Sequence, residues 1–154
     1  MDLSNEYFEH LSSYSLEELE EILTPGDLEL YREFKFLKNY IEGAFTKNPD
    51  GSYSVDGSVD LSGQDFKEFP FRFKTVTGDF NCGYCINLQS LQGSPTSVGE
   101  DFSCSGCSSL QSLQGAPESV GRDFYCSECL NLRTLQGAPK SVGAPNFIPY
   151  PLVF

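Results

Sequence analysis

The sequence predicts an α+β fold, in which a small N-terminal helical cap is followed by a short repeat solenoid with a parallel β-sheet. Three observations carry this. A 22-residue unit is written three times, as VTGDFNCGYCINLQSLQGSPTS from Val76, VGEDFSCSGCSSLQSLQGAPES from Val98 and VGRDFYCSECLNLRTLQGAPKS from Val120, and a fourth copy opens at Val142-Gly143. Residues 1–48 show helical patterning instead of the repeat. Residues 49–57, rich in Gly, Asp and Ser, have the composition of a linker or hairpin turn. The expected organisation is a helical cap over 1–48, a linker or hairpin over 49–57, and a solenoid with its own C-terminal cap over 58–154.

Spacing within the unit explains how one copy makes one coil. Phe80 and Cys82 are two apart and share a face of a strand. Leu88 and Leu91 are three apart, which suits an irregular or 3₁₀-like return, and Gly93 and Pro95 mark a turn. A single coil buries only its inner edge. Stacking places Phe80, Phe102 and Phe124 in one column at roughly 4.8 Å, and the leucines in others, so that the coils share one core.

The register Phe-x-Cys-x-x-Cys resembles the last three fixed positions of the leucine-rich-repeat strand motif, Leu-x-x-Leu-x-Leu-x-x-(Asn or Cys), with Phe80, Cys82 and Cys85 as the first set. Thr77, Gly99 and Gly121 stand where that motif has its first leucine. The Gly-Ala-Pro turn and the Val-Gly-x-Asp-Phe opening look most like short repeat cassettes of tailed-phage and bacterial genomes. The resemblance implies a leucine-rich-repeat-like solenoid and little chemistry; a non-enzymatic protein–protein interaction module is expected instead because catalytic constellations are missing and a surface remains. For a phage-encoded chain the resemblance implies an inhibitor of a host enzyme or defence factor, working in the host cytoplasm.

Composition narrows the function classes. The 154 residues are 39% hydrophobic and 14% aromatic, enough to bury a core. A net charge of −12 argues against a generic nucleic-acid or anionic-membrane binder, which carries a basic face, and leaves a protein partner with a basic surface or plain solubility. No basic segment followed by an apolar run opens the chain, and no stretch approaches the roughly 18 apolar residues of a membrane span. The expected location is cytoplasmic, where thiols stay reduced.

In the N-terminal region, Ser15 to Glu18 reads as a capping box ahead of LEELEEIL, with Pro25-Gly26 ending that helix. A longer helix is expected from about Asp27 to Phe45, because Leu30, Phe34, Leu37, Ile41 and Phe45 fall at helical spacing, and a short one over Glu6 to Tyr14. These helices are expected to cover the first exposed coil. Up to residue 50 there are 12 Asp/Glu against 4 Lys/Arg, a balance of −8; the rest carries 10 against 6, a balance of −4. Glu17, Glu18, Glu20 and Glu21 form the densest run, a solvated helix face or, alternatively, an acidic DNA mimic.

Asp50-Gly51 and Asp56-Gly57 are turn dipeptides, with Tyr53 to Val55 a candidate first strand. A divergent coil follows, in which Val59, Leu61 and Gln64 align with Phe80, Cys82 and Cys85, and Phe66 and Phe69 replace the leucines after a one-residue deletion. After Gly143 the chain reads APNFIPYPLVF, whose three prolines are expected to block further strand addition while Phe147, Ile148 or Phe154 folds over the last coil; a partner-binding apolar tail is the alternative.

The cysteines invite a metal reading. Cys82-x2-Cys85-x18-Cys104-x2-Cys107 has a zinc-site spacing, and Cys126-x2-Cys129 repeats it, so a metal- or thiol-dependent protein is an alternative. Yet all six fall on two core positions of one period, as any repeat with two such positions produces. The expectation is no metal and no cofactor, with Cys85, Cys107 and Cys129 placed to donate weakly to backbone carbonyls. Catalysis is not expected either. His10 is the single histidine, no phosphate loop or nucleophile elbow occurs, and the first 48 residues lack the cysteine of a ligase domain that some repeat effectors attach.

What remains is a surface. With Phe80 and Cys82 inward, the outward candidates are Asp79, Asn81 and Tyr84, then Asp101 and Ser103, then Asp123, Tyr125 and Glu128. Together they make a strip of stacked aspartates flanked by two tyrosines, suited to Lys or Arg with aromatic anchors. The aspartates have an alternative role, accepting backbone N–H groups at a turn.

Overall fold

The computed structural model describes residues 5–143 and 147–148. Three helices come first: α1 (Asn5–Leu11), α2 (Leu16–Ile22) and α3 (Pro25–Leu37). The capping box of α2 is complete, with the Glu18 N–H donating to Ser15 Oγ (3.2 Å) and the Ser15 N–H donating to the Glu18 carboxylate (2.7 Å). Thr24 caps α3, and Pro25 is the first residue of that helix, where its missing N–H costs nothing. His10 is exposed.

The expected long helix stops at Leu37. Ile41–Lys47 is a strand, β1, paired antiparallel with β2 (Tyr53–Asp60). Ile41 and Phe45, four apart, satisfy a helical stripe and one face of a strand equally well, and both are buried on that strand face. Seven cross-strand pairs with β2 decide between the two. Asp50-Gly51 lies in the turn of this hairpin, closed by the Gly51 N–H on the Asn48 carbonyl (2.9 Å). Asp56-Gly57 is not a turn. Gly57 lies inside β2 opposite Gly43; both take a positive φ and a Cβ on either would collide with the partner strand's backbone, so both positions call for glycine.

The long strand β2 is the template of the solenoid. Its first residues, Tyr53 to Val55, pair in parallel with β3 (Phe73–Val76), and its last two, Val59 and Asp60, pair with β4 (Phe80–Asn81). Two ladders of parallel rungs extend from there. One continues through β6 (Phe102–Ser103), β8 (Phe124–Tyr125) and β10 (Phe147–Ile148); the other through β5 (Ser97–Val98), β7 (Ser119–Val120) and β9 (Ser141–Val142). Each repeat therefore contributes two short strands where the spacing suggested one. The rung at β10 forms despite the flanking prolines, because neither of its residues is itself a proline and both keep their N–H. The expected burial of Phe147, Ile148 or Phe154 over the last coil lies outside the described side chains.

The phenylalanine column stands as the spacing predicts. Phe80, Phe102 and Phe124 are fully buried, with ring centroids 5.5 and 5.1 Å apart and planes within 4° of parallel. Val59 heads this column and Leu61 is buried beside it, so the divergent coil joins where the alignment puts it. At the other end of the core, Phe34 stacks on Phe45 (5.3 Å), Phe36 meets Phe71 (5.6 Å) and Tyr40 meets Phe66 (6.3 Å). Helices and hairpin thus cover the first coil, whose apolar edge would otherwise face water.

Gly99, Gly121 and Gly143 form the corner between the two ladders. A Cβ on any of them would run into the carbonyl oxygen of the residue one period earlier: Thr77, Gly99 and Gly121, respectively. Close backbone approach is the reason this position holds glycine where a leucine-rich repeat has leucine. Phe102→Asp is expected to unfold the solenoid, since an unpaired charge at the middle coil costs more than about 4 kcal/mol. Gly121→Val is expected to destabilise it through the backbone collision. Urea denaturation followed by circular dichroism measures both, and parental midpoints would contradict the assigned register.

Candidate protein interaction surface

The aspartate column is first of all a hydrogen-bond ladder. The Asp101 N–H donates to Asp79 Oδ1 (2.9 Å), and the Asp123 N–H donates to Asp101 Oδ1 (2.9 Å). At the head of the column the Asp79 N–H donates to Ser58 Oγ (3.0 Å). The carboxylates of Asp79 and Asp101 thus hold the next coil's backbone, which leaves the second oxygen of each for other partners. At the far end Asp123 Oδ1 is buried, and no donor among the described residues reaches it. One period on from Asp123 the sequence has Pro145, which carries no N–H.

The next column reads Asp60, Asn81, Ser103, Tyr125. Its first three members cap their own turns: Asp60 Oδ1 accepts the Ser62 N–H (3.0 Å), Asn81 Oδ1 the Gly83 N–H (2.9 Å) and Ser103 Oγ the Ser105 N–H (3.4 Å). Tyr125 breaks the pattern. Its hydroxyl donates to Asp123 Oδ2 (3.0 Å), and that bond raises the pKa of the phenol, with partial burial adding to it. Asn81, Ser103, Asp101, Asp123 and Tyr125 are all half-buried, whereas Asp79, Tyr84 and Glu128 are exposed.

Tyr84 and Glu128 share a further column with Gly63 and Gly106, and all four residues adopt a left-handed backbone, with φ of +57° at both non-glycine positions. A left-handed non-glycine residue costs roughly 1–2 kcal/mol. The Tyr84 ring lies across Gly106, where a Cβ would fall 2.5 Å from Cδ1. Among the expected site residues, then, the ladder and turn caps unite Asp79, Asn81, Asp101, Ser103 and Asp123 in the scaffold, and Tyr84 and Glu128 stand free at the corner beyond them.

Two residues of this surface escaped the sequence reading. Ile86 and Leu130, 56% and 77% exposed, occupy the position after the second cysteine, with Ser108 between them in the middle coil. Large apolar residues at a position outside the repeat's fixed letters were the available signal.

The thiols are core groups. Cys85 Sγ donates to the Leu61 carbonyl (3.0 Å), Cys107 to that of Cys82 (3.1 Å) and Cys129 to that of Cys104 (3.1 Å), and all six cysteines are buried and outside any disulfide. Burial holds the Cys82 thiol well above its ordinary pKa; at Cys104 the bond with Cys129 does so first, and burial adds to it. Burial pushes Cys85 up to about 11 and Cys126 up to about 12. Among the described residues no three His, Cys, Asp or Glu side chains converge as metal ligands, and no helix is long and apolar enough to cross a membrane.

Asp101→Ala is expected to lower stability by about 1–3 kcal/mol, because the Asp123 N–H loses its acceptor, whereas Asp101→Asn, which keeps an oxygen there, costs less. Chemical denaturation of the two variants checks the ladder. The thiols predict an alkaline weakness. A thiol whose folded pKa is raised contributes stability that is fully present below its unfolded value near 9 and is lost as pH rises through its folded value of about 11 or 12. Thermal melts should fall by about 5 °C or more across that range. At neutral pH a thiol reagent should label the cysteines only after denaturation, and rapid labelling of the native protein would contradict their burial.

Comparison with protein-family models, with curated proteins and with solved structures finds no match for this chain.

Proposed function

We propose that this chain is a non-enzymatic protein–protein interaction module of leucine-rich-repeat type, which engages a partner with a basic surface through the solenoid face running from the aspartate column to the corner beyond the Phe rungs. The observation that carries the reading is the distribution of charge. The acidic and basic residues on this face are Asp60, Asp65, Asp79, Asp101, Asp123 and Glu128, all of one sign. The six Lys and Arg after residue 57, namely Lys67, Arg72, Lys74, Arg122, Arg133 and Lys140, fall on other columns of the repeat. Arg122, at the border, is held by Glu100 (3.1 Å), and Lys140 by Glu118 (3.6 Å). One-signed charge on a rigid scaffold speeds encounter with an opposite surface and rejects like-charged ones. Inhibition of a host enzyme or defence factor by a phage-encoded protein is the specific form of this role that the repeat cassettes suggest.

Affinity capture from producing cells, read by mass spectrometry, identifies the partner, and association kinetics then locate the site. Neutralising Asp60 and Glu128, which lie outside the ladder, as Asp60→Asn with Glu128→Gln is expected to slow association about tenfold at low salt, and added salt to slow the parent likewise. Reversing Glu17, Glu18, Glu20 and Glu21 to Lys should leave affinity nearly intact. Loss of binding on that reversal, with the face variants unaffected, would move the site to the helices.

A further inference from the structure

We propose that the corner ridge of Tyr84, Ile86 and Leu130, with the saddle over Ser108 between the last two, anchors a protein partner presenting one bulky aliphatic side chain flanked by Lys or Arg. The proposal rests on the acidic-face reading above and adds where on that face the contact is concentrated.

Among the described residues from 58 onward, these are the exposed large apolar side chains, at 59%, 56% and 77%, and they sit on neighbouring columns of a single corner. The repeat does not require them. The middle coil makes the same corner with Gly106 and Ser108, so coil stacking is indifferent to apolar groups there. Tyr84 moreover holds a left-handed backbone at a position filled by glycine in the coils on either side, Gly63 and Gly106, and Gly106 leaves the room its ring occupies. An aromatic ring kept at the surface against backbone preference, and packed on its neighbour, is a rigid contact group that loses little freedom on binding.

Ile86 and Leu130 are two rungs apart, about 10 Å at the spacing of parallel strands. Ser108 lies between, its hydroxyl turned 3.5 Å from the Ile86 carbonyl, so the short middle residue leaves a saddle between two aliphatic walls. Charge then selects the occupant. Asp65, which accepts from Asn87 beside Ile86, and Glu128, two residues before Leu130, border the saddle without a Lys or Arg on either column. An aliphatic anchor with basic flanks meets both features; an acidic or uniformly polar segment meets neither.

The test is an amide NMR titration of the full chain with three peptides: acetyl-Arg-Lys-Leu-Lys-Arg-amide, the same peptide with Ser replacing Leu, and acetyl-Glu-Glu-Leu-Glu-Glu-amide. The basic leucine peptide is expected to shift Ile86, Ser108 and Leu130, and to bind about tenfold tighter than the serine peptide, which shifts the aspartate column alone. Leu130→Ser and Ser108→Trp should each abolish that tenfold difference while leaving the melting temperature and serine-peptide binding unchanged. Equal affinity for the two basic peptides would overturn the ridge and leave the acidic face standing. No shift with either basic peptide would overturn both. Equal binding of the acidic leucine peptide would overturn the basic flank, and a concentration-dependent dimer broken by Leu130→Ser would give the ridge to a second copy of this chain and overturn the proposal.

Discussion

Parallel pairing between coils is the constraint on which the rest of this structure depends, because a two-residue rung has no stability of its own and must find an equally placed rung above and below it. The strand β2 solves the problem of the first rung. It is long enough to be held by β1 along one edge, and it offers its two halves to two different ladders along the other. Once Val55 and Val59 are fixed at the heads of the valine and phenylalanine columns, every later coil has only to copy the one before. The helices need supply no strand. They close the apolar end through Phe34 and Phe36, joined by Tyr40 from the turn that leads into β1.

The aspartates add a second, side-chain ladder in the same direction. The backbone N–H that Asp79 and Asp101 each accept from the next coil offsets the repulsion between carboxylates stacked one rung apart. The acidity of the face is therefore rooted in coil stacking, and a partner would read the oxygens that stacking leaves over. Asp123 is the exception that shows the rule, since its Oδ1 lies buried at the end of the column with no donor among the described residues.

The period was the most legible part of the sequence, because a fixed spacing of 22 residues leaves one way to bring Phe80, Phe102 and Phe124 together. The thiol-to-carbonyl contacts followed from the same register. What stayed hidden has physical reasons. Ile41 and Phe45 obey two periodicities at once, and only the partner strand distinguishes them. The Ser-Val rungs are too short to show alternation, so the second ladder left no pattern to read. Of the site, the outward columns were legible, but the engagement of Tyr125 with Asp123 was not, since a phenol's direction depends on its neighbours in space. Tyr84 came through as an exposed aromatic, while its companions Ile86 and Leu130 were passed over because they break the repeat instead of obeying it.

The glycine corner bears on how such a molecule changes over generations. With carbonyl oxygens packed where a side chain would stand at Gly99, Gly121 and Gly143, these three positions leave no room for change letter by letter, and only the first copy carries a side chain there, at Thr77. Whole-unit duplication meets no such barrier. A copied cassette brings its own glycine, rung residues and carboxylate in phase, and both ends of the stack stay as they were. Unequal recombination between near-identical segments would then lengthen the outer surface by one stripe at a time, and the unconstrained letters of each new stripe, such as those now held by Tyr84, Gly106 and Glu128, become the place where novelty is written.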